Sequence, residues 1–146
     1  MHCVKEEMTH RVAFVLETDD LESAYLSMRA VNARHLPVIR DNRVVGILSD
    51  RDILLHSKAG KHGEIMVPKK EVGSVMTKEV IVCHLTDSIE AIAEVMVDKK
   101  IDSLPVVDSE GALAGIITST DLLRLLRDEF PHKPMVYDRL DVGVRH

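Results

Sequence analysis

Apolar and polar positions follow one order of patterns along this chain, and that order occurs twice. A short apolar run precedes a stretch that is apolar at helical spacing, then two short apolar runs around a polar turn, then a second helical stretch. In the first copy, strands are predicted at residues 12–16, 36–40 and 44–48 and the last helix at residues 50–57. In the second copy, strands are predicted at residues 80–84, 104–107 and 113–118 and the last helix at residues 119–128. Each copy is therefore predicted to be a β-α-β-β-α unit of the α/β (α+β) class.

The first helix of each copy has one apolar face and acidic residues at its start. The apolar faces are formed by Leu21, Ala24, Tyr25 and Met28 in one copy and by Ile89, Ile92, Ala93 and Met96 in the other. Asp19 is followed three residues later by Glu22, and Asp87 by Glu90. This spacing predicts a start resembling a capping box for both helices.

Short segments recur in the same order, which indicates a tandem repeat rather than two unrelated α/β stretches. The recurring segments are Met8-Thr9 with Met76-Thr77, Leu36-Pro37-Val38 with Leu104-Pro105-Val106, and residues 46–52 with 115–121. The separation grows by one residue between Asp108 and Gly115, in a predicted turn, where an insertion is easily tolerated. The predicted boundaries are residues 8–57 for repeat 1, 58–72 for an exposed connector, 73–130 for repeat 2 and 131–146 for a C-terminal tail.

The two motifs that occur in both copies are also the marks of a known family. Leu-Pro-Val on the middle strand and Gly-Ile-x-Ser/Thr-x-x-Asp into the last helix resemble a pair of cystathionine-beta-synthase (CBS) domains, over about residues 8–128. The resemblance implies that the two repeats pack pseudo-symmetrically into one module. It further implies that the module binds an adenine nucleotide (AMP, ADP or ATP) or an adenosyl compound such as S-adenosylmethionine. The family is mostly regulatory rather than catalytic and often forms homodimers, so a homodimer and an unidentified regulated protein are expected.

The last motif also has chemistry suited to a nucleotide. A carboxylate accepts two hydrogen bonds and can hold the vicinal hydroxyls of a ribose, while a hydroxyl at a helix start suits phosphate. Ser49 with Asp52 and Thr118 with Asp121 form the two candidate sets. The same residues at a helix start can equally act as plain helix caps.

The resemblance supplies the remaining candidate ligand-binding residues. An apolar slot for adenine is expected from Val12, Ala13, Val80 and Ile81 on the first strands, with Pro37 and Pro105 on the middle strands and with Ile47 and Ile116 crossing from the partner repeat. Family positions that can face phosphate hold Arg34 and His35 in repeat 1 and Asp102 and Ser103 in repeat 2. Arg51 is a further candidate cation.

This difference in charge predicts two unequal sites. The Ser49/Asp52 site is expected to bind the phosphorylated ligand through Arg34. The other site is expected to be empty or to bind a neutral or cationic adenosyl compound, because Asp102 repels phosphate. The alternative is that Arg34 and Arg51 are solvated surface charges.

Composition narrows the possible partners. The formal net charge of −5 argues against bulk binding to nucleic acid or to an anionic membrane, and no apolar stretch is long enough to span a bilayer. Two cysteines, Cys3 and Cys83, are too few for a disulfide framework, and with no apolar signal core at the N-terminus a cytoplasmic protein is expected. Cys83 is expected to be a core residue.

Sequence patterns favour neither a metal site nor catalysis. His2, Cys3 and His10 lie close in sequence, as do His56 and His62, but neither group has a recognised ligand spacing. With no catalytic motif visible, the chain is expected not to be an enzyme. The alternative to a ligand-sensing module is a structural or dimerisation module with degenerate pockets; an enzyme acting on an adenosyl substrate is a weaker one.

Overall fold

The computed structural model describes residues 2–8, 12–137, 139 and 143 of the chain. The helices are α1 (Val4–Glu7), α2 (Leu21–Val31), α3 (Asp50–His56), α4 (Ile89–Lys99) and α5 (Ser119–Glu129). The strands are β1 (Val15–Leu16), β2 (His35–Arg40), β3 (Arg43–Ser49), β4 (Lys58–Ala59), β5 (Ile65–Met66), β6 (Cys83–His84), β7 (Ser103–Val107) and β8 (Leu113–Thr118). The β-α-β-β-α order predicted for each repeat is confirmed.

Each repeat forms a three-stranded sheet with the same topology. In one sheet β1 is parallel to β2 and β2 is antiparallel to β3. In the other, β6 is parallel to β7 and β7 is antiparallel to β8. The register of the antiparallel pair shifts at equivalent places, between Val38 and Ile39 and between Val106 and Val107. The repetition therefore extends to this irregularity of the backbone.

The first strands are shorter than predicted. The apolar runs 12–16 and 80–84 were both predicted as strands, but only Val15–Leu16 and Cys83–His84 pair with a neighbour. Residues 12–13 and 80–81 instead line cavities between the repeats, described below. An apolar run does not distinguish a strand residue from a residue that faces a cavity.

The predicted helix caps are wrong by one residue. The side chain of Asp20 caps α2 by accepting from Ser23 N, and the side chain of Ser88 caps α4 by accepting from Ala91 N. Asp19 and Asp87 instead accept hydrogen bonds from the backbone N–H groups of Leu16 and His84, each at 2.8 Å. These aspartates therefore stabilise the turn that precedes each helix.

Each hydrophobic core contains residues from the segment that leads into the first strand of the other repeat, and these leading segments are residues 4–8 for repeat 1 and 72–76 for repeat 2. The core of repeat 1 includes Val72 and Met76, whereas the core of repeat 2 includes Val4 and Met8. Val4 and Val72 both have no exposed surface. Since Val4 and Met8 occupy positions equivalent to Val72 and Met76, the two leading segments are exchanged between the repeats.

Backbone hydrogen bonds hold the exchanged segments in equivalent ways. Val4 N donates to Asp87 O at 2.9 Å, and Val72 N donates to Asp19 O at 2.9 Å. The residue after each valine is bound in the same way: Lys5 N donates to Leu85 O, and Gly73 N donates to Glu17 O. The structural repeat thus begins at Val4, upstream of the first recurring dipeptide.

Most of the connector and the described part of the tail lie outside the two cores, but Val72 belongs to the core of repeat 1 and Val67 packs against it. Residues 58–72 include a small exposed hairpin of β4 and β5, followed by a 3₁₀ turn at Val72–Ser74. Residues 131–137 are exposed and form neither helix nor strand. Within the described part of the chain, no helix is long and apolar enough to cross a membrane.

The exchange predicts that a substitution in the leading segment destabilises the opposite repeat. Val4→Ala and Val72→Ala should each lower the free energy of unfolding by about 2 kcal/mol, because each removes buried methyl groups and leaves a cavity. Urea denaturation measures the change. Val136→Ala, at a position that is 94% exposed, is the matched control and should leave the midpoint unchanged. An unfolding midpoint for Val4→Ala equal to that of the control would contradict the burial of Val4 on which the exchange depends.

Candidate functional site

Two cavities lie between the repeats, and each takes its walls from both. The Asp52 cavity has a volume of about 270 Å³ and is lined by His35, Ile47, Ser49, Asp52, Thr77, Glu79, Val80, Ile81, Lys100, Ile101, Asp102, Ser103 and Pro105. The Arg34 cavity has a volume of about 570 Å³ and is lined by Val12, Ala13, Val31, Asn32, Ala33, Arg34, His35, Leu36, Asp102, Ser103, Ile116, Thr118, Ser119 and Thr120. His35, Asp102 and Ser103 belong to both cavities and form their shared wall.

The walls interleave in the same way on both sides. In the Asp52 cavity, Ile47 from repeat 1 lies with Val80 and Ile81 from repeat 2. In the Arg34 cavity, Ile116 from repeat 2 lies with Val12 and Ala13 from repeat 1. Each cavity thus joins the segment before the first strand of one repeat to the end of the last strand of the other.

Asp52 both caps α3 and lines its cavity. Its backbone N–H donates to Ser49 Oγ at 3.0 Å, and its Oδ2 accepts from Ser49 N at 3.1 Å, which completes a capping box. Thr77 Oγ1 also donates to Asp52 Oδ2, at 3.3 Å. Among the described residues, Asp52 Oδ1 has no hydrogen-bond partner, so capping leaves one carboxylate oxygen available to a ligand.

Thr77 is held beside Asp52 by a backbone bridge to β3. Ile47 N donates to Thr77 O at 3.0 Å, and Thr77 N donates to Ile47 O at 2.9 Å. Gly46 allows this close approach, because a Cβ at that position would lie 3.0 Å from Thr77 O. The equivalent residue in the first leading segment, Thr9, lies outside the described residues.

Asp121 is placed differently from Asp52. Its Oδ2 accepts from Thr118 N at 2.8 Å and from Thr118 Oγ1 at 3.0 Å, and its Oδ1 lies 3.7 Å from Arg124 Nη1. Asp121 is buried and lines a separate cavity, with Glu7 and Met8, rather than the described wall of the Arg34 cavity. The predicted pairing of Thr118 with Asp121 is therefore a capping box whose carboxylate is already engaged by neighbouring residues.

Arg34 does not lie where the sequence analysis placed it. It was expected beside Ser49 and Asp52, but it lines the opposite cavity together with Thr118. The carbonyl of Arg34 accepts from Asp50 N at 3.0 Å, which fixes its backbone at the start of α3. Arg34 is exposed, and besides this cavity, which the start of α5 helps to form, it lines a neighbouring cleft with Tyr25, Asp50 and Leu54. The expectation that Arg34 serves the Ser49/Asp52 site is corrected accordingly.

The other predicted residues divide between the cavity walls and positions away from them. Ser103 lines both cavities and Pro105 lines the Asp52 cavity. Arg51 is exposed and Pro37 is buried in β2, and neither belongs to the described walls of the two cavities. Wall residues that were not candidates from the sequence are Thr77, Glu79, Lys100, Ile101, Val31, Asn32, Ala33, Leu36, Ser119 and Thr120. Thr77 and Leu36 belong to recurring segments, whereas the signal of the others is proximity in sequence to the predicted residues.

The shared wall carries a contact between a histidine of one repeat and a carboxylate of the other. His35 Nε2 lies 3.9 Å from Asp102 Oδ1. These residues occupy neighbouring rather than equivalent positions of the repeat, since Arg34 corresponds to Asp102 and His35 corresponds to Ser103. Any ligand that reaches this wall meets residues of both repeats.

A histidine and several carboxylates lie together where α1 meets α5. His2 Nδ1 lies 2.9 Å from Glu7 Oε1, and His2 Nε2 lies 3.2 Å from Glu129 Oε1. His2, Glu6 and Glu7 hold ligand atoms within 4.8 Å of one another, so their spacing is compatible with a metal ion. The contact of His2 with Glu129 joins the chain before α1 to α5. His10, the third residue of the cluster noted in sequence, lies outside the described residues.

Cys83 is a core residue, as predicted. It is buried in the core of repeat 2, and its Sγ donates a weak hydrogen bond to Pro105 O at 3.7 Å. Burial, followed by the negative charge of Asp87, raises the pKa of the Cys83 thiol from 9.0 to about 12. The thiol therefore stays protonated and is a poor nucleophile at neutral pH.

Comparison with known proteins identifies both repeats. The family model described as "CBS domain" matches residues 4–59 and 72–128. The CBS domain-containing protein YhcV of Bacillus subtilis is 32% identical over 123 residues, which cover 84% of this chain and 84% of YhcV. Inosine-5'-monophosphate dehydrogenase of Thermoplasma acidophilum is 32% identical over 76% of this chain, but the match covers only 20% of that enzyme. The first curated relatives are thus matched over less than half of their own length.

Two solved structures show the same fold with adenosyl compounds. The structure of CBSX2 in complex with AMP has a TM-score of 0.78 and 27% identity, and the match covers 88% of this chain and 99% of that one. The CBS domain pair of protein MJ0100, in complex with 5'-methylthioadenosine and S-adenosyl-L-methionine, has a TM-score of 0.75 and 25% identity. That match covers 88% of this chain and 98% of the other.

The raised pKa of Cys83 predicts a pH-dependent stability. The folded protein keeps this thiol protonated, whereas the unfolded chain ionises it above about pH 9. Stability from this residue is therefore complete below pH 9 and is lost as the pH rises toward 12. Urea denaturation at pH 8 and at pH 10.5 should show a larger loss for the wild type than for Cys83→Val. Equal losses in the two proteins would contradict the assignment.

Proposed function

Since the chain belongs to the CBS domain family, we propose that it is a regulatory module that binds an adenine nucleotide or a related adenosyl compound in the cavities between its repeats. The proposal is supported by the similar CBS pairs whose structures contain AMP, or 5'-methylthioadenosine and S-adenosyl-L-methionine. The regulated target would be a separate protein or a further part of a longer chain.

The observation that carries the proposal is the free oxygen of Asp52 in a cavity whose walls are partly apolar. A ribose presents two adjacent hydroxyl groups, and Asp52 Oδ1 can accept from them while Oδ2 keeps its capping role. Ser49 Oγ accepts one hydrogen bond within the capping box. Its own hydrogen can therefore be donated to the ligand.

The remaining walls of the Asp52 cavity suit a flat heterocycle. Apolar surface comes from three parts of the chain: Ile47 in β3, Pro105 in β7, and Val80 and Ile81 in the segment before β6. Ligand sites in proteins are usually concave, mostly apolar and furnished with a few polar groups that fix orientation. Adenosine, with an apolar base and a polar sugar, matches that distribution of surfaces.

Association of two copies is the second proposed property, and it is favoured by exposed apolar side chains on the last helices. Leu55 of α3 is 73% exposed, and Leu123 and Leu126 of α5 are 63% and 55% exposed. Apolar side chains in helical register that face solvent are typical of helix–helix interfaces. A structural or dimerisation role would use this surface without any ligand.

Ligand binding should stabilise the fold by mass action. At a ligand concentration 100 times the dissociation constant, the expected stabilisation is about 2.7 kcal/mol. Thermal unfolding with adenosine, AMP, ADP, ATP and S-adenosylmethionine measures it, with guanosine as the control for base specificity. Val80→Phe should block the Asp52 cavity and Val12→Phe the Arg34 cavity, since the two residues are equivalent. No stabilisation by any adenosyl compound would overturn the proposal and leave the structural role.

A homodimer through the last helices makes its own prediction. Leu123→Glu combined with Leu126→Glu should convert a dimer into a monomer, because two charges would be buried in the interface. Light scattering after size-exclusion chromatography measures the mass. Val136→Glu in the exposed tail is the matched control and should leave the mass unchanged. A wild-type protein that is monomeric at micromolar concentration would contradict the dimer.

A further inference from the structure

We propose that the two cavities select adenosyl ligands by charge: the Arg34 cavity binds an anionic, phosphate-bearing nucleotide, and the Asp52 cavity binds a neutral or cationic adenosyl compound. The inference rests on the proposed function and adds which class of ligand each cavity takes. It reverses the assignment expected from sequence, in which the Ser49/Asp52 site was the phosphate site.

The charged side chains of the described walls differ in sign. The Asp52 cavity has three carboxylates, from Asp52, Glu79 and Asp102, and one ammonium group, from Lys100. The Arg34 cavity has one guanidinium group and shares only the carboxylate of Asp102. A phosphate group in the Asp52 cavity therefore meets more repulsion than attraction, while a sulfonium or ammonium group is favoured there.

The difference arises at equivalent positions of a repeated fold. Arg34 and Asp102 correspond, and the carbonyls of both cap the following helix, to Asp50 N at 3.0 Å and to Ser119 N at 2.9 Å. Their backbones are thus held in the same way, and only the side-chain charge changes. A guanidinium group offers paired N–H donors that match the oxygens of a phosphate.

The helix starts reinforce the difference. The first turn of α3 holds two acidic residues, Asp50 and Asp52, and the helix has only seven residues. The first turn of α5 replaces the first of them with Ser119, and its single carboxylate, Asp121, is buried and engaged by Thr118 and Arg124. Helix α5 has eleven residues, and the positive N-terminal end of its dipole lies at the Arg34 cavity. The N-terminus of α5 is therefore a better environment for an anion than the N-terminus of α3.

Cavity size agrees with the charges. The Arg34 cavity has about twice the volume of the Asp52 cavity, at about 570 Å³ against about 270 Å³. At one pair of equivalent positions, Ala13 lines the larger cavity and the bulkier Ile81 lines the smaller one. The larger space accommodates a nucleoside together with its phosphate groups.

The experiment compares three adenosyl ligands of different charge by isothermal titration calorimetry. The probes are adenosine, which is neutral; AMP, which is anionic; and S-adenosylmethionine, which carries a net positive charge. Arg34→Gln should weaken AMP binding by about 10- to 100-fold, the loss typical of a hydrogen bond to a charged group, and should change adenosine binding by less than about twofold. Arg29→Gln removes an exposed cation from the same part of repeat 1 and should change neither.

Two further variants locate the ligands. Val12→Phe should abolish AMP binding and spare S-adenosylmethionine, whereas Val80→Phe should do the reverse. Glu79→Gln, which alters only the Asp52 cavity, should weaken S-adenosylmethionine and leave AMP binding unchanged. Circular dichroism and the Tm of each variant establish that it is folded.

The outcomes separate this inference from the proposed function. If Arg34→Gln weakens adenosine and AMP equally, or if Val80→Phe rather than Val12→Phe abolishes AMP binding, charge selection is wrong while adenosyl binding stands. If none of the three probes binds the folded wild type, the proposed function itself fails. The inference is supported if Arg34→Gln weakens AMP binding but not adenosine binding, and if Val12→Phe abolishes AMP binding but not S-adenosylmethionine binding.

Discussion

The burial of each leading segment in the core of the other repeat is the constraint on which the rest of this structure depends. Val4 and Val72 are inaccessible to solvent, and each belongs to the core of the repeat that it does not precede. Each repeat would be marginal alone, because a unit of about 60 residues buries only a limited fraction of its surface. The exchange makes their stabilities interdependent and sets how the repeats face each other.

That arrangement explains why the cavities have mixed walls. Thr77 follows the second leading segment directly, and its bridge to Ile47 brings it to Asp52 of the other repeat. The segment then continues to Val80 and Ile81, which line the same cavity. The packing that completes the core and the packing that shapes the candidate site are therefore parts of one continuous stretch of chain.

Much of the fold could be predicted from the sequence because the pattern that predicts each helix and strand occurs twice. The hairpins, the bounds of α5 and the parts of each β-α-β-β-α unit follow from apolar periodicity and turn residues. The helix caps were misplaced because Asp19 and Asp20 are both competent caps, and only the backbone geometry decides between them. Asp87 and Ser88 are likewise both competent caps, and the structure uses Ser88.

The sequence identified several residues of the candidate site but did not predict which of them lie in the same cavity. Ser49 and Asp52 were identified from a motif, since the motif is local and the capping box fixes their geometry. Arg34 was assigned to the wrong cavity, because the cavity that a side chain reaches depends on how the two repeats face each other. The part of the leading segment before Met8 was overlooked because its only recurring residue is Val4, which recurs as Val72.

The exchanged segments also bear on how such a chain could arise. A single copy of the unit, with its own leading segment directed outward, could fill its core only with the leading segment of a second copy. Such a pair would be a domain-swapped dimer, whose assembly depends on protein concentration. Joining the copies through residues 58–72 makes the swap intramolecular, at the millimolar effective concentration typical of a short linker. Duplication within one gene then lets Arg34 and Asp102 diverge, which two identical subunits cannot do.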